Sequence, residues 1–218
     1  MDVAHIQGRP RTVYEQRSRR TREKLADAAI DCLVESGYRG TTFVEVCRRA
    51  GLTRGAAHHH YRDIPALLLD AMRRLNDTLI GRVRPALRED LDLQERIDRA
   101  IQVLWSAFSS REFKAVVEIW VAQSHDPVLS RRIRSEMERY SANVSEGFSR
   151  AFPELRAEGD EALLMMRFAF LVVLGQGFHN STLGSLHDET DQERMLKLLK
   201  NVVQREVNFM RGVSGQGV

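Results

Sequence analysis

The stretch from Thr41 to Tyr61, TTFVEVCRRAGLTRGAAHHHY, constrains this chain more than any other. Phe43, Val46, Cys47 and Ala50 recur at helical spacing and give a first short helix one apolar stripe. Thr41 or Thr42 stands just before that stripe, where a hydroxyl oxygen accepts a free first-turn N–H. Gly51 follows the last periodic residue, the position at which a left-handed backbone is cheap only for glycine. Thr53 caps a second helix that the pattern carries to about Tyr61. The small Cys47 and Ala57 sit on either side of the glycine, where two steeply crossing helices need slim contacts. This is the helix-turn-helix pattern. With Ala57 and Tyr61 inward, Thr53, Arg54, Ala56, His58 and His59 form an outer face of hydroxyl, guanidinium, methyl and imidazole groups. Those groups reach base edges and phosphates in a major groove. The alternative is a helical hairpin whose polar face is merely solvated.

Charge distribution bears on that choice. The chain has 218 residues with a formal net charge of +3. Residues 1–63 hold 12 Lys+Arg against 8 Asp+Glu, so the excess cation lies in the helix-turn-helix part and the remainder is nearly neutral. A basic head on a neutral body is the footprint of a phosphate-backbone binder. Residues 1–16, with Gly8 and Pro10, read as a mobile tail. Arg9, Arg11, Arg17, Arg19, Arg20 and Arg22 make the tail and the following turn an arm for phosphates or a minor groove, or only a solvated terminus.

Leu25, Ala28, Ala29, Cys32 and Leu33 form a helical face that ends at Gly37 and packs across the two short helices. Pro65 opens a linking helix that runs through Leu68, Met72, Leu75 and Leu79 until Pro85. Amphipathic helices follow over Leu93–Phe108 and Glu112–His125. Asp126-Pro127 then starts another, to about Phe152. Glu161–His179 is apolar on nearly all sides and so needs partners on two sides. With Asp191–Met210 it would close a four-helix bundle with a second copy, Phe168, Val172, Leu199 and Val203 carrying the dimer contact. No strand signal is present. The fold class is therefore all-α: a helix-turn-helix domain over 1–63 and a helical effector-binding and dimerisation domain over 64–218, about nine helices in all.

The run from Leu25 to Leu69, with LADAAIDCLVESGYRGTT followed by VCRRAGLTRGAAHHHYRDIPALL, resembles the amino-terminal domain of the TetR-type transcriptional repressors. Gly37-Tyr38, the threonine pair, the Ala50-Gly51 turn and the terminal aromatic Tyr61 occur in the family's order. Three positions depart from the family pattern. Ala57 stands where a larger aliphatic residue is usual, and His58 where a tyrosine commonly touches phosphate. Ile64-Pro65 replaces the usual Lys-Glu, removing a cation expected near the backbone. The resemblance implies a dimeric repressor on double-stranded operator DNA, relieved by a small molecule. The candidate DNA-binding residues are Arg19, Thr41, Thr42, Thr53, Arg54, Ala56, His58 and His59.

Other chemistry is thinly represented. Consecutive residues on a helix point about 100° apart, so His58, His59 and His60 cannot converge on one metal ion. His179 and His187 lack a ligand partner at helical spacing. Neither metal nor cofactor is expected, and no nucleophile elbow or phosphate loop marks an enzyme. Cys32 and Cys47 lie on apolar stripes and read as packed thiols in the cytoplasm, with a redox switch as the lesser reading. The longest apolar run, ALLMMRFAFLVVLGQGF, is interrupted by Arg167 and reads as too short to span a bilayer. A pocket for a small apolar or amphipathic effector is the better candidate. Trp105, Phe108, Trp120, Tyr140 and Phe148 would line it, with Gln176 and His179 as polar groups. Ordinary core is the competing reading for each aromatic. Glu118 would orient a cation or hydroxyl there, or pair with Lys114 on the surface. The competing overall readings are a DNA-binding dimer without a ligand, and a small-molecule enzyme or carrier with a vestigial head.

Overall fold

In the computed structural model, residues 13–86, 91–157, 160–183 and 189–214 are described. Ten α-helices occupy them, with no strand among the described residues. α1 spans Val13–Gly40, α2 Phe43–Ala50, α3 Arg54–His58 and α4 Ile64–Val83. α5 spans Leu93–Phe108, α6 Arg111–Gln123 and α7 Pro127–Ala151. α8 covers Pro153–Ala157, α9 Asp160–Leu183 and α10 Glu189–Ser214. Four of the long helices begin where a short polar side chain relieves a first-turn N–H. Asp63 caps α4, Asp92 caps α5, Ser110 caps α6 and Asp126 caps α7.

The stripe from Leu25 to Leu33 is buried as its spacing requires, and α1 packs on α2, α4 and α6. Three boundaries differ from the sequence reading. Residues 13–16 belong to α1 rather than to a tail, while residues 1–12, with Arg9 and Arg11, lie outside the described residues. α3 stops at His58, short of Tyr61. A kink at Gly37 (φ 66, ψ −177) turns the end of α1 toward α2, a backbone open essentially to glycine alone.

The body is a layered bundle in which α5 packs on α9 and α10, α6 on α7 and α9, and α4 on α5, α6 and α7. By length and composition α9 would suffice to cross a membrane, contrary to the sequence expectation. In this fold it buries Ala162, Ala169, Val173 and Gln176 and leaves Leu164, Phe168, Leu171 and Phe178 exposed. On α10 the inward residues are Leu199, Val203 and Val207, and the outward ones Met195, Leu198 and Phe209. Leu199 and Val203 are therefore corrected from dimer-surface to core residues. Their stripe covers α5 and α9 of the same chain, about 100° around α10 from the outward stripe. His187 lies outside the described residues.

Candidate nucleic-acid interface and effector-binding body

Local chemistry sets the helix-turn-helix geometry. The Thr42 hydroxyl oxygen accepts the Glu45 N–H at 3.2 Å and starts α2. Gly51 adopts φ 66, ψ 35, which lets its own N–H reach Arg48 O and the Leu52 N–H reach Cys47 O at 3.0 Å. Thr53 then accepts the Ala56 N–H at 3.2 Å and starts α3. Ala57 is fully buried, and Tyr61 is buried with its hydroxyl donating to Asp70.

The outer face that results carries Thr53, Arg54, Gly55, His58 and His59 exposed, with Ala56 half-buried. The His58 imidazole stacks on Phe43, ring centroids 4.4 Å apart and 13° from parallel. Sequence spacing gave no hint of this contact, because the two rings lie on different helices. Thr42 keeps its hydroxyl proton for an outside acceptor. Thr41 does not belong to this face: it is buried and donates to Gly37 O at 2.8 Å, so it closes the α1 turn instead of reaching a phosphate. Arg19 is exposed on α1 and pairs with Glu23 at 3.6 Å. It lines an open groove of about 1390 Å³ between α1 and α4 together with Arg22, Arg73 and Asp77. On α2, Arg48 and Arg49 both bond Glu45, the first cause that holds its carboxyl down at about 2 being Arg48 and the second Arg49.

The head is also tied to the body by contacts that no local pattern announces. Glu118 on α6 accepts the Tyr38 N–H at 2.9 Å, and the Tyr38 hydroxyl donates to Asp126 at 2.7 Å. Arg132 on α7 forks onto both oxygens of Asp63, the α4 cap, at 2.5 and 3.0 Å. Arg111 on α6 reaches Asp31 and Glu35 on α1. Within the body, Arg73 on α4 bonds the buried Glu136 on α7 at 2.7 Å. Glu118 is thus corrected from both its expected roles, pocket polar group and partner of Lys114.

Three of these carboxylates titrate low. The Arg132 guanidinium lowers Asp63, and the Leu129 N–H followed by the Tyr38 hydroxyl lowers Asp126. Burial pushes Glu136 up, but Arg139 and Arg73 together hold it below its usual value. A depressed carboxylate contributes stability above its unfolded pKa and loses it as pH falls through the folded one. The thermal midpoint should therefore be flat across neutral pH and decline below about pH 4. Asp126→Asn should shallow that decline when melting is followed by circular dichroism. An identical acid profile for the variant would contradict the assignment.

In the body, Phe108 packs on Phe113 (4.8 Å between centroids) and edge-on to Phe170 (5.6 Å), and Phe113 meets Trp120 edge-on at 5.9 Å. Gly177 of α9 seats directly on this group: a Cβ there would lie 2.5 Å from Phe108 O. Trp105 and Phe108 are buried core under this seat. Phe148 lies apart, against Phe152 at 5.0 Å, in a second group with the buried Arg96, which also bonds Ala151 O. The predicted lining therefore divides into two clusters. Gln176 is buried and donates to Asn180 at 3.0 Å, and His179 is partly buried beside it. Three buried donors, Trp120 Nε1, Asn76 Nδ2 and Arg96 Nε, have no acceptor among the described residues. Burial raises the Tyr140 hydroxyl to about 12.

Residues 25–71 match the sequence model of the bacterial regulatory proteins of the tetR family. The chain is similar to the HTH-type transcriptional regulator BetI of Cronobacter sakazakii, 25% identical over 178 residues, covering 76% of this chain and 86% of that one. BetI of Escherichia coli is 29% identical over 143 residues, covering 63% of this chain and 72% of that one. A crystal structure of a transcriptional regulator from Rhodococcus sp. Rha1 superposes with a TM-score of 0.65 at 22% identity, over 85% of this chain and 96% of that one.

Proposed function

We propose that this chain, a TetR-type DNA-binding transcriptional regulator, works in the cytoplasm as a homodimeric repressor. It holds a palindromic operator and releases it when a small apolar or amphipathic effector enters the body. Residues 1–63 act as the DNA head and 64–218 as the effector and dimer domain. The observation that carries the DNA reading is the capped α3, with Thr53 and Arg54 exposed together on a helix whose other side is sealed by Ala57. Thr53, Arg54 and His59 are the base-facing candidates, and Thr42 a phosphate-facing one.

The outward apolar stripes of α9 and α10 support the dimer. Leu171 is 53% exposed, Leu198 63% and Phe209 66% in the isolated chain, large apolar side chains that a second copy would cover. The unpaired donors of Trp120 and Asn76 support an effector that offers a hydrogen-bond acceptor, since buried donors are normally satisfied. The effector shifts the equilibrium only by the difference in its affinity for the DNA-competent and incompetent conformers. The close seating of Gly177 on Phe108 favours a second reading, a dimer whose body takes no ligand.

Selection of genomic fragments by the purified protein, repeated with a panel of small metabolites, separates these. Recovery of a common palindrome that a metabolite abolishes is expected. A palindrome that no metabolite displaces favours the second reading, and absence of any enriched sequence overturns both.

A further inference from the structure

The helix-turn-helix unit is held by its two flanks, and both flanks are held by the same corner of the body. Upstream, Tyr38 is gripped at both ends. Its backbone N–H donates to Glu118 near the end of α6, and its hydroxyl to Asp126 at the start of α7. Downstream, Asp63 is taken bidentately by Arg132, one and a half turns further along α7. Between Tyr38 and Asp63 lies the whole of α2, the turn and α3. Gly37 allows the upstream grip: its positive φ turns the Tyr38 N–H outward, and a Cβ on it would stand 2.9 Å from the Glu118 carboxylate. Asp126 accepts the Val128 and Leu129 N–H groups at 2.9 and 3.0 Å while it receives Tyr38, so its orientation is fixed by the α7 cap. Asp63 accepts the Ala66 N–H at 2.9 Å in the same way. Asp126 and Asp63 are thus caps whose direction is already set, while Glu118 and Arg132 reach the head from within α6 and α7.

We infer that Glu118, Asp126 and Arg132 are positioning residues for operator binding: the α6–α7 corner sets where each recognition helix stands relative to the body, and so the separation of the two in the dimer. Covalent continuity joins the head to α4 at its downstream end, and the packing of α1 on α4 and α6 holds it upstream. The two hydrogen bonds of Tyr38 and the fork on Asp63 set the register of that packing next to α2 and α3. This inference rests on the proposed dimeric reading of a palindrome.

The test uses the full-length protein and duplexes bearing the selected half-site singly, at its natural spacing, and respaced by one or two base pairs in either direction. Wild type should bind the natural spacing best. Glu118→Ala should keep its half-site affinity and lose about tenfold at the natural spacing, an ordinary cost for one hydrogen bond to a charged group. Its preference among spacings should flatten. Glu118→Gln, whose carbonyl can still accept the Tyr38 N–H, should restore the sharp profile. Arg132→Ala should flatten it from the other flank, and thermal melting confirms that each variant is folded. A Glu118→Ala profile as sharp as wild type overturns the inference. So does an equal loss at every spacing and on the half-site, which marks a merely structural role. A wild-type protein indifferent to spacing overturns the dimeric reading itself, and is told apart because it needs no variant.

Discussion

Leu171→Glu is expected to convert the protein to monomers and to reduce operator affinity by orders of magnitude. Leu171 lies at the centre of the outward stripe of α9, between Phe168 and Phe178 and 53% exposed in the single chain. If that face meets its two-fold copy, the substitution places two carboxylates in one apolar contact, and the exposed Arg167 one turn earlier on α9 offsets only part of each charge. Burying such a charge unpaired costs several kcal/mol per ion, more than an interface of this kind tolerates. The fold of the single chain should be untouched, because the side chain points away from α5 and α6. In the proposed dimer operator affinity depends on both heads binding at once, so its loss would follow from lost effective concentration and not from altered DNA contacts. Sedimentation at micromolar concentration, paired with circular dichroism, checks both halves of the expectation. A variant that stays dimeric would place the interface elsewhere.

Gly37→Ala should produce the largest loss in head stability for one added methyl group. Its φ of 66 with ψ near 180° is a conformation that costs a residue with a Cβ about 1–3 kcal/mol. The new Cβ would also stand 2.9 Å from a Glu118 carboxylate oxygen, which must swing away and release the Tyr38 N–H. Losing a hydrogen bond to a charged group adds a cost of about 1.5–3 kcal/mol. The thermal midpoint should fall by roughly 10 °C in a chain of this size. Gly55 supplies the control, since nothing lies within 4 Å of a Cβ built there and its φ is ordinary. Gly55→Ala should hold or raise the midpoint. Equal effects at the two positions would refute the account of Gly37.

What the sequence disclosed follows a physical rule. Short-range devices were readable: Gly51 at a left-handed turn, Thr53 and Asp126 as caps, and the Leu25 to Leu33 stripe all act within a turn or two of themselves. They sufficed for the all-α class and for the head. Contacts between residues far apart in the chain left no periodic trace. Glu118 lies 80 residues from the backbone N–H it accepts, and Arg132 lies 69 from Asp63. Asp126 could be read as a cap yet not as a partner of Tyr38, because one carboxylate serves both. The phase of α10 was misjudged for a different reason. Leu198 and Leu199 are adjacent and equally apolar, so composition could not decide which of them faces inward. Thr41 and Thr42 posed the same problem, and only the fold shows that the first is buried and the second is the cap. The aromatic lining was legible as buried but not as one site, since Phe148 and Phe108 lie in separate clusters.

The claim at the centre of this account is that α3 reads base sequence through Arg54 and Thr53. It is tested most directly by titrating wild type and Arg54→Ala against the selected operator and a scrambled duplex of equal length at one fixed salt concentration. The variant should lose about 1–3 kcal/mol on the operator, the worth of one good base contact, and far less on the scrambled duplex. Equal losses on the two duplexes would contradict it and move Arg54 from base reading to phosphate binding.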